Sequence, residues 1–352
     1  MKKIFSTLKM ALPISLFVMI FTSSCNKELP QPIPNEVVVP TGSTIGDVLN
    51  TNPDFSILKA AVIKSGLMEA VSNKSNVFTV FAPNDEAFIM SGIPLVAIEN
   101  LPAPVVASII QYHIIPGQKV TSAAIPTTFP NVQMVTSFVI PAPNTNPLVR
   151  FSSFPSKRGS QLWLNNIPVI ASDVATANGV IHVVARVVAP PSRVLLDTMA
   201  RDADMQYLVA AILTADASVP EGSRFQDYLA NPLANFTIFA PSNQAFMNLL
   251  AYNSLPVDPS SLQYLDNPKG TLGAIIANHI LLNRAFAANL PSDDTVIPSF
   301  LAAIAPPGVG LLTVSSAGVK GAGNPTFSNI TAIDRHAING VYHIIDQLLL
   351  PQ

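Results

Sequence analysis

The sequence predicts a mixed fold of short strands and helices, built twice in tandem. Two pairs of matching stretches carry that expectation. TVFAPNDEAF, from Thr79 to Phe88, returns as TIFAPSNQAF from Thr237 to Phe246, with six of the ten positions identical. NGVIHVVARVVAP, from Asn178 to Pro190, is answered by NGVYHIIDQLLLP from Asn339 to Pro351. The landmarks keep their order at offsets of 158 and 161 residues, so a tandem duplication is the simplest account. At 352 residues and 49% hydrophobic content the chain has the length and apolar material for two cores. The units are placed at 43–190 and 191–352. Their joint, Pro190-Pro191-Ser192, is too short for a loose linker, so the two are expected to touch.

Within each unit the local chemistry assigns the elements. Ile45, Val48 and Leu49 share a helical face, and Asn52-Pro53 makes a cap followed by proline in a first turn. Phe55, Leu58 and Val62 repeat at helical spacing, Gly66 is a stop, and Leu67 to Val71 adds a short turn. Thr79-Val80-Phe81 is a β-branched and aromatic strand that Ala82-Pro83 ends, because proline brings no amide hydrogen to a ladder. Asn84 or Ser242 then caps a helix, and Phe88 or Phe246 returns an aromatic ring to the core. A helix is expected over 103–115. Val132 to Ile140 and Leu148 to Phe151 are candidate strands in a proline-rich stretch, and Leu162 to Leu164 pairs with Ile167 to Ile170 across Asn165-Asn166.

The strand after each Asn-Gly is apolar on both faces and should be buried. Alternation places Val180, His182 and Val184 on one face and Ile181, Val183 and Val187 on the other. The matching sets in the second unit are Val341, His343 and Ile345 against Tyr342, Ile344 and Leu348. That unit opens with helical spacing through Leu195, Met199, Leu208 and Ile212, and carries insertions near 255–269 and 291–308.

Charge is scarce. Asp, Glu, Lys and Arg make up 11% of the chain, against about 25% in ordinary soluble domains, and the net charge is −2. With no basic run beyond Lys2-Lys3, nucleic acid has no electrostatic footprint here. One cysteine, Cys25, excludes an internal disulfide framework and a thiolate zinc site. Before it come Lys2, Lys3 and Lys9, an apolar run from Met10 to Phe21, and Ser23-Ser24. This resembles a bacterial lipoprotein signal peptide over 1–24, with Cys25 as the lipidated first mature residue. A membrane span needs about 20 apolar residues, which this run does not reach. Residues 25–42, with Pro30, Pro32, Pro34 and Pro40, form an extended tether.

The paired strand-APxxxAF stretches, the Tyr112-His113 dipeptide between landmarks, and the closing NGVxH strands resemble the fasciclin domain over nearly all of the chain after the tether. The signature positions are Phe81, Pro83, Phe88, Asn178, Gly179 and His182 in the first copy, and Phe239, Pro241, Phe246, Asn339, Gly340 and His343 in the second. The resemblance implies an α+β fold in which two small β-sheets form a wedge or sandwich with helices packed along the edge. It also implies an extracellular adhesion module. The family's central Tyr-His falls on Tyr112 and His113; the second copy has Asn278-His279. Tyr112, His113 and His279 are therefore the candidate binding residues.

No catalytic residue, metal site or cofactor is expected. The five histidines lack the i, i+4 spacing with glutamate of a metal helix, and no G-x-S-x-G elbow or phosphate loop appears. Asp85 and Glu86 are replaced by Asn243 and Gln244 in the second copy, which fits a structural role better than proton transfer. Asp173 and Asp334 precede turns, where side-chain to backbone hydrogen bonds are the usual explanation. The expected function is a lipid-anchored protein of the bacterial cell envelope, held to the outer membrane through Cys25. Its two non-catalytic modules would bind an extracellular protein or polysaccharide ligand. The alternatives are a carbohydrate-processing accessory or weak hydrolase using the 126–160 loops with Asp173, and a structural spacer.

Overall fold

The computed structural model describes residues 41–130, 132–140 and 146–352. The expected signal peptide, Cys25 and all of the tether but residues 41 and 42 lie outside the described residues.

Domain 1 is organised about two central strands. The signature strand Phe78–Pro83 runs antiparallel to Ile114–Pro116 on one side and parallel to the closing strand Gly179–Val184 on the other. The sheet continues through Ile167–Thr176 and Gln161–Leu164 to Pro155–Arg158. Domain 2 repeats the centre: Phe236–Pro241 lies between Ile280–Leu281 and the parallel closing strand Gly340–Ile345, with Ile330–Ala337 outside. Each domain adds a smaller sheet. Met134–Val139 pairs with Arg150–Ser153 in domain 1. Thr295–Pro298, Leu311–Ser315 and Gly318–Gly321 form three strands in domain 2. The architecture is the mixed α+β fold, built twice in tandem, that the resemblance implied.

The two faces of each closing strand organise the core as alternation predicted. Ile181 and Val187 pack with Ile45, Phe55 and Phe88 under the helices, whereas Val184 joins Phe81, Phe151 and Leu164 on the far side. In domain 2, Tyr342, Ile344 and Leu348 face the helical cluster around Leu208 and Phe246, and Ile345 faces Leu312 and Val314. The helices flank the sheet because their caps are met locally. Thr44 and Asp47 form a reciprocal capping box at Ile45–Thr51, Asn84 Oδ1 accepts from Ala87 N at 2.9 Å, and Ser242 Oγ accepts from Ala245 N at 3.2 Å. Helix Ser56–Lys64 stops before Gly66, which takes φ +72°.

Three expectations change. The helix expected over 103–115 ends at Tyr112, because the His113 carbonyl accepts from Phe81 N at 2.9 Å and draws the chain into the strand Ile114–Pro116. Each hairpin turns one residue earlier than Asn-Gly, at Ala177-Asn178 and Ile338-Asn339 with the glycine already in the strand, and that strand also pairs in parallel with the signature strand, a contact no local pattern encodes. Parallel pairing brings the backbones so close that a Cβ on Gly179 would stand 1.9 Å from the Phe78 carbonyl oxygen. Lastly, Asp173 and Asp334 sit in irregularities within strands, at φ +62° and +60°, rather than just ahead of turns. The insertions in domain 2 are structured: 255–269 holds a 3₁₀ segment that buries Leu262, and 291–308 holds strand Thr295–Pro298 and helix Phe300–Ile304.

The domains touch, as the short joint led us to expect. Phe154 of domain 1 packs with Phe286 and Val341 of domain 2. Phe129 leans on the outer core of domain 2 and Ile338 on that of domain 1.

Candidate functional site

Tyr112, His113 and His279, the candidate binding residues, are interior. Tyr112 is 0% exposed, His113 1% and His279 2%. Each histidine closes a helix against the chain after the closing strand. Val188 N donates to His113 Nε2 at 2.9 Å, which leaves Nδ1–H to donate to the Ile109 carbonyl at 2.8 Å. In domain 2, Leu349 N donates to His279 Nε2 at 2.8 Å and Nδ1–H to Ile275 O at 2.7 Å. Burial drives both imidazoles down to about 4, so both are neutral near pH 7. Tyr112 donates to the Ser152 carbonyl at 3.2 Å and accepts from Asn165 Nδ2, also at 3.2 Å; burial pushes its hydroxyl up to about 12. A partner cannot reach these side chains without opening the fold, which corrects their assignment to a binding surface.

The remaining signature chemistry is equally internal and is matched between copies. His182 Nδ1 accepts from Asp173 N at 3.3 Å and its Nε2–H donates to Val120 O at 2.8 Å. His343 repeats this with Asp334 N at 3.2 Å and Ala285 O at 2.9 Å. His343 Nδ1 also lies 3.8 Å from the Asp334 carboxylate. Nδ1 is an acceptor there and burial lowers the imidazole, so this is a neutral contact rather than an ion pair. Burial likewise raises the Asp334 carboxyl. Asp173 accepts from both the amide and the hydroxyl of Ser122, and Asp334 accepts from Ala287 N at 2.7 Å, so each aspartate holds a 3₁₀ turn to the sheet. Each aspartate makes the expected side chain to backbone bond, Asp173 adds the Ser122 hydroxyl, and the partners are distant segments. Asp85 accepts from Ile57 N at 2.8 Å and Asn243 from Tyr207 N at 3.0 Å: both cap the neighbouring helix.

An open site lies between the domains. A cleft of about 690 Å³ is walled by the 126–130 loop and the end of strand Pro155–Arg158 with Gly159 in domain 1, and by Leu281, Asn283, 288–293 and strand Thr295–Pro298 in domain 2. Asp293 is the one carboxylate among its described lining residues. Asp173, the carboxylate of the hydrolase alternative, is not among them. Arg158 reaches across, donating from Nη2 to Leu290 O at 2.5 Å. Arg284 is 5% exposed nearby; its Nε donates to Asn235 Oδ1 at 2.9 Å and its Nη2 to Ile338 O at 2.8 Å. Among the described residues no group of three or more His, Cys, Asp or Glu is placed to hold a metal ion, and no helix is long and apolar enough to cross a membrane.

The duplicated geometry has a counterpart in known proteins, since the fasciclin-domain pattern matches residues 53–190 and again 217–351. The chain belongs to the fasciclin-domain family. It is 33% identical over 161 residues to Protein sll1483 of Synechocystis sp., covering 45% of this chain and 79% of that protein. It is 30% identical over 166 residues to transforming growth factor-beta-induced protein ig-h3 of Sus scrofa, and 26% identical over 256 residues to periostin of Homo sapiens. The matches span only 21% and 25% of those two proteins. Among solved structures, a FAS1 domain pair from the insect cell adhesion molecule fasciclin I aligns with a TM-score of 0.35 at 19% identity, over 84% of this chain and 96% of that one.

For this fasciclin pair, sequence reasoning missed the cleft and Arg284. Arg284 lies outside the duplicated stretches and follows His279 by five residues; the matched bonds of Val120 and Ala285 align it with Lys119. The signal available in the sequence was that an arginine stands in an apolar run, Ile280 to Phe286, where a charge needs partners.

Proposed function

We propose that the chain is a lipid-anchored envelope protein whose two fasciclin domains act as a non-catalytic binding unit for adhesion to matrix, polysaccharide or neighbouring cells. One observation carries this reading. The histidines and aspartates that recur between the copies are engaged inside each domain, so chemistry for a partner is left to the remaining loops, several of which meet at the cleft. The hydrolase alternative needs two carboxyl groups facing each other across a pocket. The Asp173 carboxylate it would use is hydrogen-bonded to Ser122. Anchoring at Cys25 rests on the sequence around it.

Two measurements test the proposal. Capture from intact envelope should enrich a protein or polysaccharide on the wild-type chain; enrichment of nothing over a blank support defeats the adhesive role. Cys25→Ala should release the protein from membranes, and continued membrane fractionation of that variant defeats lipid anchoring. Protease added to whole cells then reports whether the domains face outward.

A further inference from the structure

The cleft has a chemistry of its own. Its volume lies in the range of small-ligand sites, and it stands at a domain boundary, where such sites concentrate. Hydroxyl and amide side chains line it from both domains: Thr127 and Thr128 on one side, Asn283, Asn289 and Ser292 on the other. Phe129 adds a half-buried ring. These donors and acceptors suit a polyol, and the apolar side chains between them, among them Pro126, Leu290 and Val296, suit the C–H face of a sugar ring.

Charge narrows the class. Lys157 and Arg158 end the strand Pro155–Arg158 on the domain 1 wall and leave it on alternate sides, with Arg158 exposed and Lys157 half-buried. Among the described residues neither has a carboxylate within salt-bridge reach, and Asp293 on the facing wall is likewise unpaired. The lining thus carries two cations against one anion in a chain whose net charge is −2. Arg158 uses one guanidinium nitrogen on Leu290 O, and the fork it retains suits a planar carboxylate. A peptide added as a strand fits less well. Thr295–Pro298 is an edge strand of only four residues and closes on proline, two features that blunt edge pairing.

We propose that the interdomain cleft binds an acidic polysaccharide, seating uronate carboxylates against Arg158 and Lys157 while the sugar hydroxyls meet the threonines and asparagines. This rests on the binding role proposed above and assigns it a ligand class.

The experiment titrates the full chain with hexamers of galacturonate, guluronate and glucuronate, a neutral glucose hexamer, dextran sulfate and an unstructured acidic peptide. At least one uronate hexamer should bind, weakening as salt rises. The double variant Lys157→Gln, Arg158→Gln should weaken it by about tenfold or more, with thermal unfolding checked to show the fold intact. Asp293→Asn, which removes the facing negative charge and leaves the cations in place, should tighten it. No binding of any uronate, equal binding of the neutral hexamer, or binding of only dextran sulfate or the peptide overturns the proposal. Envelope capture run beside the titration separates the two claims. If wild type and double variant capture the same envelope material while the uronates do not bind, the glycan assignment fails and adhesion stands. If wild type captures nothing, adhesion itself fails.

Discussion

The guanidinium carbon of Arg284 lies 4.6 Å from the centre of the Phe154 ring, placing a domain 2 cation over a domain 1 aromatic inside the molecule. Its own domain aims it: Nη1 donates to His336 Nε2 at 3.2 Å, while Asn235 and the Ile338 carbonyl hold the other nitrogens. Burial lowers its pKa to about 10, so the charge persists at neutral pH, and the same charge acts on Tyr112 across the boundary. A desolvated cation–π contact is worth about 2 kcal/mol, and leaving its neighbours unpaired adds to the loss.

We therefore expect Arg284→Ala to loosen the coupling of the two domains. Scanning calorimetry should give one transition for the wild type and two for the variant, with a total loss of about 3 kcal/mol. Arg284→Lys, which keeps the charge but not the planar fork, should fall between them. A variant trace superimposable on the wild type would show that the domains are joined by other contacts.

Acid should destabilise the pair through its histidines. His113 and His279 are held near 4 by burial, and burial also lowers His182 and His343. Near pH 6.5 the unfolded chain takes up protons that the folded chain refuses. Stability is thus complete above about pH 6.5 and declines as the pH falls toward 4, by about 1.4 kcal/mol per pH unit for His113 and for His279. Asp334, raised by burial, works in the opposite sense. Urea unfolding between pH 7.5 and 4.5 measures the slope, and His113→Gln should flatten it. An unchanged slope in that variant would place the proton uptake elsewhere.

The parts of the fold that could be read directly are those whose causes are near in sequence. Phe81 and Phe239 enter the core because a strand alternates, and Asn84 caps because its acceptor lies three residues from the amide it serves. His113 shows where such reading stops. Its bond to Ile109 is local, but the amide that completes its burial belongs to Val188, 75 residues on. The dipeptide therefore looked like a surface motif when it was half of an internal clamp. The cleft was less legible still, since its walls come from separate segments of both domains, and the contact of Arg284 with Phe154 joins residues 130 positions apart.

Asn178 and Asn339 should be among the costliest polar residues to remove. Asn178 Oδ1 accepts from Ile45 N at 2.8 Å, and its Nδ2 donates to the carbonyls of Val71 and Asn73 at 2.8 and 3.2 Å. Asn339 does the same with Leu195 N and the carbonyls of Leu229 and Asn231. Each side chain ties the first helix of its domain to the segment before the signature strand. Truncation to alanine strands buried backbone groups and should cost about 3 kcal/mol in either domain. Asn→Asp should fare little better, since a carboxylate cannot donate to two carbonyls. Denaturant unfolding of the four variants checks this, and a loss below about 1 kcal/mol for the alanines would mean that water replaces the amide freely.

Asp85 offers the cleanest separation of a structural carboxylate from a reactive one. It receives the Ile57 amide at the start of a helix, and in domain 2 the neutral Asn243 receives the Tyr207 amide in the same place. What the position requires is an acceptor oxygen, with or without charge. Asp85→Asn should therefore unfold within about 0.5 kcal/mol of the wild type, whereas Asp85→Ala should lose about 1 kcal/mol with the cap. Binding to envelope material should be unchanged in the asparagine variant. If Asp85→Asn abolished binding or any hydrolytic activity while the fold melted normally, the carboxylate would be chemical in domain 1, and the equivalence of the two copies would end there.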